Sequence, residues 1–352
     1  MLRYNNLART SSRIINAANS YTTQYTYLDG AGTNTTTALV ESVKNGATTL
    51  SYTYDNVGNI TEVKKDGTII EAYTYNSTNQ LTSATYGGHT YYYLYNSGGN
   101  IIMKEDSNGT KQFRYGEGNW NDVLINFNGQ RIISDSIGNP LSYRDDFVFT
   151  WSNGRQLTGI QKGNNSISYL YNADGLRAQK TVNGTTTNYY YLNGVLQGQK
   201  TGNEYIIFLY DENGSAYGLI LKNGTTSAYY YYVFNLQGDV IGLIDSSGNQ
   251  VVSYTYDPWG KVLSVTGTLG TTIGEKNPIR YRGYYYDSET EFYYLQSRYY
   301  DPETGRFINA DNAISGVGNC SSCCYRCCCS CNSCIYSGCG NNKDIMAILE
   351  RC

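Results

Sequence analysis

The chain has 352 residues with one histidine (His89), four prolines and three methionines, and no cysteine before residue 320. Each shortage excludes something. A single imidazole rules out any mechanism that needs two. A body without cysteine rests on neither disulfides nor cysteine-bound metal, so its fold suits either redox compartment. Charged residues are only 16% and the net charge is −3, against about 25% charged residues in an ordinary soluble domain. That balance gives no basic face for nucleic acid and no polyanionic tail. Long apolar runs are missing too. Tyr205-Ile206-Ile207-Phe208-Leu209 is typical of the longest, far short of a membrane span. The start, Met1 to Leu7, has no apolar run of signal-peptide length, so an export address is expected outside this sequence.

What the chain has instead is 39 tyrosines and 38 glycines. They recur in a phrase: aromatic, any residue, Tyr, Asp or Asn, two or three residues, Gly, then an aliphatic. Copies are Tyr52-Thr53-Tyr54-Asp55 with Gly58 and Ile60, Tyr93-Leu94-Tyr95-Asn96 with Gly99 and Ile101, and Tyr169-Leu170-Tyr171-Asn172 with Gly175. Further copies are Phe208-Leu209-Tyr210-Asp211 with Gly214, and Tyr254-Thr255-Tyr256-Asp257 with Gly260. The anchors Tyr54, Tyr75, Tyr95 and Tyr115, then Trp151, Tyr171, Tyr191 and Tyr210, fall 19 to 21 residues apart. Aromatic alternation suits a pleated, half-buried strand. Asp66-Gly67, Asn108-Gly109, Asn128-Gly129, Asn183-Gly184, Asn193-Gly194 and Asn223-Gly224 read as tight hairpin turns, because both residue types tolerate positive φ. A scarcity of proline keeps the ladders intact. No sustained helical periodicity occurs before residue 340. One unit of about 20 residues cannot bury its own aromatic face, so neighbouring units must stack into a continuous sheet. The repeated Asp55, Asp174, Asp211 and Asp257 are expected to bond backbone N–H groups in turns, and His89 to be a solvated residue at the start of a strand.

The phrase resembles the YD repeat of the RHS family over roughly residues 20–262. Residues 279–311 resemble the RHS repeat-associated core signature, through Arg280-Tyr281-Arg282-Gly283-Tyr284-Tyr285-Tyr286-Asp287, Phe292-Tyr293-Tyr294-Leu295, Arg298-Tyr299-Tyr300-Asp301-Pro302 and Thr304-Gly305-Arg306-Phe307-Ile308. The resemblance implies an all-β hairpin ribbon forming part of a spiral shell around a C-terminal toxin. It divides the chain into a YD-repeat sheet region (1–277), the core signature (278–312) and an irregular Cys-rich tail (313–352). Partners implied are C-terminal toxin cargo and the remaining N-terminal shell of a longer parent. The implied location is extracellular or cell-surface. No cofactor is implied.

Some members of the family cut off their own cargo with an aspartyl-protease-like site. The motif places Asp287 on one family Asp and Arg280 on the supporting Arg. The segment that should carry the second Asp is missing, and a lone carboxylate cannot run a two-carboxylate mechanism. The competing reading of Asp287, Asp301 and the arginines is structural, with Arg stacked on aromatic faces and paired to Asp at strand corners. The tyrosines could also form a sugar-binding face, with cell-wall carbohydrate as partner and an adhesin as the function. Rings buried in a thin sheet, with hydroxyls reaching water, is the alternative.

All ten cysteines lie between Cys320 and Cys352. Cys320-x-x-Cys323 and Cys324-x-x-Cys327 have metal-knuckle spacing, but Cys-x-x-Cys pairs overlap and Cys327, Cys328 and Cys329 are consecutive. Three readings stay open: unselected sequence from a shifted frame or broken gene end, a thiolate metal site, and a disulfide knot. With no His, one Lys and two acidic residues, the tail is neither a nuclease nor a deaminase. The expected function is therefore non-enzymatic: a shell segment that encapsulates or presents an effector the chain itself does not contain.

Overall fold

A computed structural model describes residues 1–33, 35–117 and 122–309. Cys320, Cys323, Cys324 and Cys327, with the rest of the expected tail, lie outside the described residues. Three antiparallel sheets account for nearly all the regular structure: 13 strands over residues 2–131, 14 strands over residues 133–266, and four strands over residues 285–307. In each, strands pair in sequence order with no crossover. The ribbon is one long meander of hairpins, as the repeat requires.

The repeat's chemistry is local and regular. In Tyr169-Leu170-Tyr171 the first ring is buried and Leu170 is 60% exposed, the alternation a half-buried strand gives. Just before the second aromatic the ladder slips by one residue, between Thr53 and Tyr54, Thr74 and Tyr75, Leu170 and Tyr171, and Thr255 and Tyr256. A bulge increases twist and bends the strand pair, so a bulge in every repeat curls the ribbon.

The second aromatic then reaches back one repeat. The hydroxyls of Tyr75, Tyr95, Tyr171 and Tyr191 donate to the carbonyls of Ile60, Leu81, Leu157 and Arg177 at 2.7–3.1 Å. Each acceptor is the residue opposite the preceding repeat's second aromatic, as Ile60 is opposite Tyr54 and Arg177 opposite Tyr171. Trp151 keeps the pattern with its indole N–H on the Pro140 carbonyl at 2.6 Å. The period near 20 is thus the spacing at which one ring satisfies the bulge of the previous hairpin.

The fourth position closes the turn. Asp55 Oδ1 accepts the N–H groups of Val57 and Asn59 at 3.0 and 2.8 Å, and Gly58 follows at φ +94°, where a side chain would be strained. Asp211, Asp245 and Asp257 repeat the pair. In the copy at 172 the acceptor is Asn172, not Asp174, whose own N–H donates to it. Expected tight turns occur at Asp66-Gly67, Asn128-Gly129, Asn183-Gly184 and Asn193-Gly194, all with positive φ at both residues. Two differ. Asp106 pairs with Gly109, so the turn centres on Ser107-Asn108. Asn223 is still in its strand, paired with Thr226, and Gly224 leads the turn at φ +58°, the arrangement that needs glycine first. His89 opens the strand His89–Tyr95 and is exposed.

The ribbon returns on itself. Ile15 and Tyr21 pack with Val233 and Ile244, Val43 and Tyr52 with Leu236 and Ile241, and the Asn45 side-chain amide donates to the Phe234 carbonyl at 2.9 Å. The largest core joins both long sheets to the four-stranded one, from Ile101 and Phe113 through Phe147 and Tyr169 to Phe292 and Ile308. The four-stranded sheet is therefore a plug seated against the ribbon wall.

Candidate functional site: the plug and its ion-pair anchors

The plug is an internal duplication. Tyr285-Tyr286-Asp287-Ser288-Glu289-Thr290 recurs 14 residues later as Tyr299-Tyr300-Asp301-Pro302-Glu303-Thr304. In each copy the two tyrosines and the aspartate form a three-residue strand buried throughout. The threonine hydroxyl turns back to the aspartate's own carbonyl at 3.4 Å. Buried carboxylates need compensating charge, and both find it on the wall.

Asp287 is held by the strand Arg177–Val182. Arg177 takes it bidentately, Nη1 to Oδ2 at 2.5 Å and Nη2 to Oδ1 at 3.1 Å, and Lys180 Nζ reaches Oδ1 at 2.7 Å. Lys180 also pairs with Glu289 at 2.6 Å. The Arg177 and Asp287 side chains are wholly buried. Around the guanidinium stand the rings of Tyr294, Tyr189, Tyr285, Tyr169 and Tyr299, with centroids 4.3–5.9 Å away. Their faces favour a cation, which offsets part of the cost of burying it. Burial alone would push the Asp287 carboxyl up, but Arg177 and Lys180 hold it below the usual carboxylate range.

The second copy is held alike. Arg144 grips Asp301 through Nε and Nη2 at 2.8 and 2.7 Å. Tyr143 bonds both Asp301 Oδ2 and the Thr304 hydroxyl at 3.1 Å. Glu303 lies between Lys111 and Lys261, the latter at 2.6 Å, and its carbonyl accepts from Lys104 at 2.8 Å. Lys104 and Lys111 come from the first long sheet, Lys261 from the turn before the last strand of the second. Arg306 adds bonds to Asn100 and the Asp122 carbonyl at 2.8 and 2.6 Å. This anchor closes a seam between the two sheets. Despite its burial, the Glu303 carboxyl is drawn down to about 2 by Lys111 and Lys261. Nearby Asp257 is pushed up to about 6 by burial, against the pull of Lys104 and its own turn N–H groups. Lys104 is pushed down to about 8 by burial, against Asp257 and Glu303.

Arg280 and Asp287, the pair expected from the motif, have separate work. Arg280 donates to the carbonyls of Asn277, Gly274 and Glu275 at 3.1–3.2 Å and stacks over Tyr286, 4.4 Å from the ring centroid. It fixes the turn leading into the plug. Both oxygens of Asp287 face cationic donors from the wall. Sequence reasoning misses Arg144, Arg177, Lys180 and the lysines around Glu303. The 14-residue duplication is the signal that could have found them, since a repeated buried Asp demands two cations.

These features define a class: a repeat-built antiparallel β wall with a charged plug anchored inside it. Comparison with known proteins agrees. Residues 2–320 match the Teneurin YD-shell family, and the chain belongs to that family of RHS/YD-repeat proteins. It is 34% identical over 245 residues to the tRNA nuclease WapA of Bacillus subtilis (strain 168), covering 66% of this chain and 10% of that protein. It is 35% identical over 83 residues to the double-stranded DNA deaminase toxin A of Burkholderia cenocepacia (strain H111), covering 22% of this chain and 6% of that one. The chain thus spans a tenth or less of these relatives. Among solved structures, that titled TcdB2-TccC3-TEV superposes with a TM-score of 0.73 at 21% identity, over 88% of this chain and 18% of that one. That likeness shows the fold, a toxin-complex β-shell.

Proposed function

We propose that this chain is the C-terminal shell segment of an RHS-type polymorphic toxin, enclosing or presenting an effector that lies outside these 352 residues. The supporting observation is how the plug is seated: the buried carboxylates of Asp287 and Asp301 are held by Arg177, Lys180 and Arg144 of the ribbon, which locks this C-terminal sheet against the wall. The mechanism is steric: a curled sheet keeps the effector from solvent while the plug anchors brace the wall. On this reading the protein acts outside the producing cell or at its surface. Among the described residues no helix is long and apolar enough to cross a membrane.

The role is non-catalytic, with Asp287 an anchor. Purified protein is expected as one uncut chain of 39.3 kDa. A second band that disappears in Asp287→Asn would overturn that part. Enclosure is tested with the tail's own thiols, since every cysteine lies beyond residue 319. Under a non-thiol reductant, a bulky polyethylene-glycol maleimide should label the native chain about tenfold more slowly than the denatured one, because access requires opening of the wall. Equal rates would sink the enclosure reading.

A further inference from the structure

We propose that Glu71 makes the joint between the two long sheets pH-sensitive, closed in mild acid and looser toward neutral pH. The device belongs to the wall itself and does not rest on the enclosure reading above.

Glu71 stands where the sheet pattern calls for an apolar side chain. In the strand Thr68–Tyr75 it is directly opposite Val63 on one side and Tyr86 on the other, and Val63 is in turn opposite Tyr52. Tyr52, Val63 and Tyr86 are all buried. Directly opposite residues share a face of the sheet, so the carboxylate lies in the inward row. It accepts one hydrogen bond there, from the Tyr73 hydroxyl two residues along the same face, at 2.6 Å.

This row is the part of the first sheet that lies over the second. Tyr52, Val63 and Tyr73 pack with Leu236 and Ile241, and the Tyr52 hydroxyl accepts the Leu236 N–H at 3.2 Å. Beneath the row is therefore the turn at residues 235–239, which carries a second carboxylate, Asp239. That one is provided for. Asn235 Nδ2 donates to its Oδ2 at 2.7 Å, the Arg282 N–H donates to Oδ1 at 2.9 Å, and Arg282 Nε lies 3.5 Å from Oδ1. Arg282 Nη1 donates to the Gln237 carbonyl at 2.9 Å. Asp287, Asp301 and Glu303 each hold an Arg or Lys on the carboxylate. Glu71 instead has a tyrosine beside it and another acid across the joint. The titratable and charged groups around it are Tyr52, Tyr73 and Tyr86 from its own sheet, Asp239 from the turn, and Arg282 acting through Asp239.

Burial pushes the Glu71 carboxyl above its ordinary 4.5, the Tyr73 bond pulls it back, and the Asp239 carboxylate adds to the rise. With the folded-state value raised, the contribution of this contact is complete below 4.5 and is lost as pH rises through the raised value. An ionised Glu71 then meets Asp239 with no cation of its own. Local opening that separates Thr68–Tyr75 from the turn rehydrates it. For a shell, the consequence is a wall tighter in an acidic compartment than in a neutral one.

The test follows amide exchange in the full chain by peptide mass spectrometry at about pH 4.5 and 7.5, with times normalised to the intrinsic exchange rate at each pH. In acid, the wild-type chain and Glu71→Gln should exchange alike across Thr68–Tyr75 and residues 235–241. At the higher pH the wild type should exchange about tenfold faster than the variant. Comparing the two chains at each pH cancels the titrations they share, those of Asp257 and Glu303 included. Tyr73→Phe removes the bond that favours the ionised form, so the transition should move to higher pH. A bond that merely braces the strand would leave the midpoint in place, and an unmoved midpoint overturns the proposal. So does Glu71→Gln matching the wild type at both pH values, or exchanging faster than it at either. Should Glu71→Gln not fold, the Tyr73→Phe profile decides alone, upheld by a midpoint moved upward and refuted by one that stays.

Discussion

The ribbon and the plug solve the same problem by opposite means. Both bury tyrosine-rich strands and must satisfy the polar groups that go under with them. In the ribbon the partners are neighbours: a Tyr hydroxyl meets a carbonyl 14 or 15 residues back, and an Asp or Asn oxygen meets N–H groups two and four residues on. In the plug they are remote, since Arg177 and Arg144 lie 110 and 157 positions before the carboxylates they hold. Local bonds repeated many times tolerate the loss of one. Two buried charge clusters that seat an entire sheet do not. The comparison predicts that damage scales with sequence separation, and substitutions can test it.

The largest loss should come from Arg177→Met. It leaves Asp287 in a buried site with Lys180 as its remaining cation, and breaking a buried ion pair from one side costs about 3–5 kcal/mol. Arg144→Met should act similarly through Asp301. Thermal or urea unfolding measures the loss. The double variant Arg177→Met with Asp287→Leu should recover most of it, because no charge is then stranded. A double variant as unstable as the single would show that the tyrosine ring cluster, not the ion pair, seats the plug.

The same difference decides how much of each region is legible in the amino-acid sequence. The hairpin ribbon is legible because its rule is written within each unit of about 20 residues, down to most turn positions. The misses are small and local. Gly109 sits one place past the centre of its turn, and Asn172 does the bonding expected of Asp174. The plug is legible as a signature and as a place where Asp meets Arg, but not in its pairing. Nothing local to Lys180 or Arg144 distinguishes either from a solvated strand residue. Their roles come from curling, which brings residues more than a hundred positions away against Asp287 and Asp301. The bulge in each repeat, which produces that curling, has no residue type of its own.

Intermediate losses are expected in the ribbon. Tyr171→Phe removes a hydroxyl from the Leu157 carbonyl and from Tyr299. It should cost about 1–2 kcal/mol, the range for a hydrogen bond whose acceptor is partly desolvated. Tyr75→Phe, which loses the bond to the Ile60 carbonyl, should fall at the lower end. Asp55→Ala opens one turn and leaves the N–H groups of Val57 and Asn59 to water, costing about 1 kcal/mol or less. If Asp55→Ala rivals Arg177→Met in a urea titration, the local-against-remote ranking is wrong.

The seam where both regions meet adds a pH dependence. Glu303 is drawn down from its ordinary 4.5 to about 2, so its contribution is complete above 4.5 and is lost as pH falls through 2. Asp257 is raised from 3.8 to about 6. Its contribution is therefore complete below 3.8 and lost as pH rises through 6. The two act in adjoining windows with opposite sign, so stability should rise from about pH 2 to a maximum near pH 4 and fall from there toward pH 6. Glu303→Gln should remove the acid-side loss and leave a shallow decline toward neutral pH. Asp257→Asn keeps an acceptor for the N–H groups of Trp259 and Lys261 and should remove the neutral-side decline. Urea midpoints at half-unit pH intervals read both slopes. If Asp257→Asn steepened the decline toward neutral pH instead, the Asp257 carboxylate would be stabilising the seam through Lys104 rather than straining it by burial.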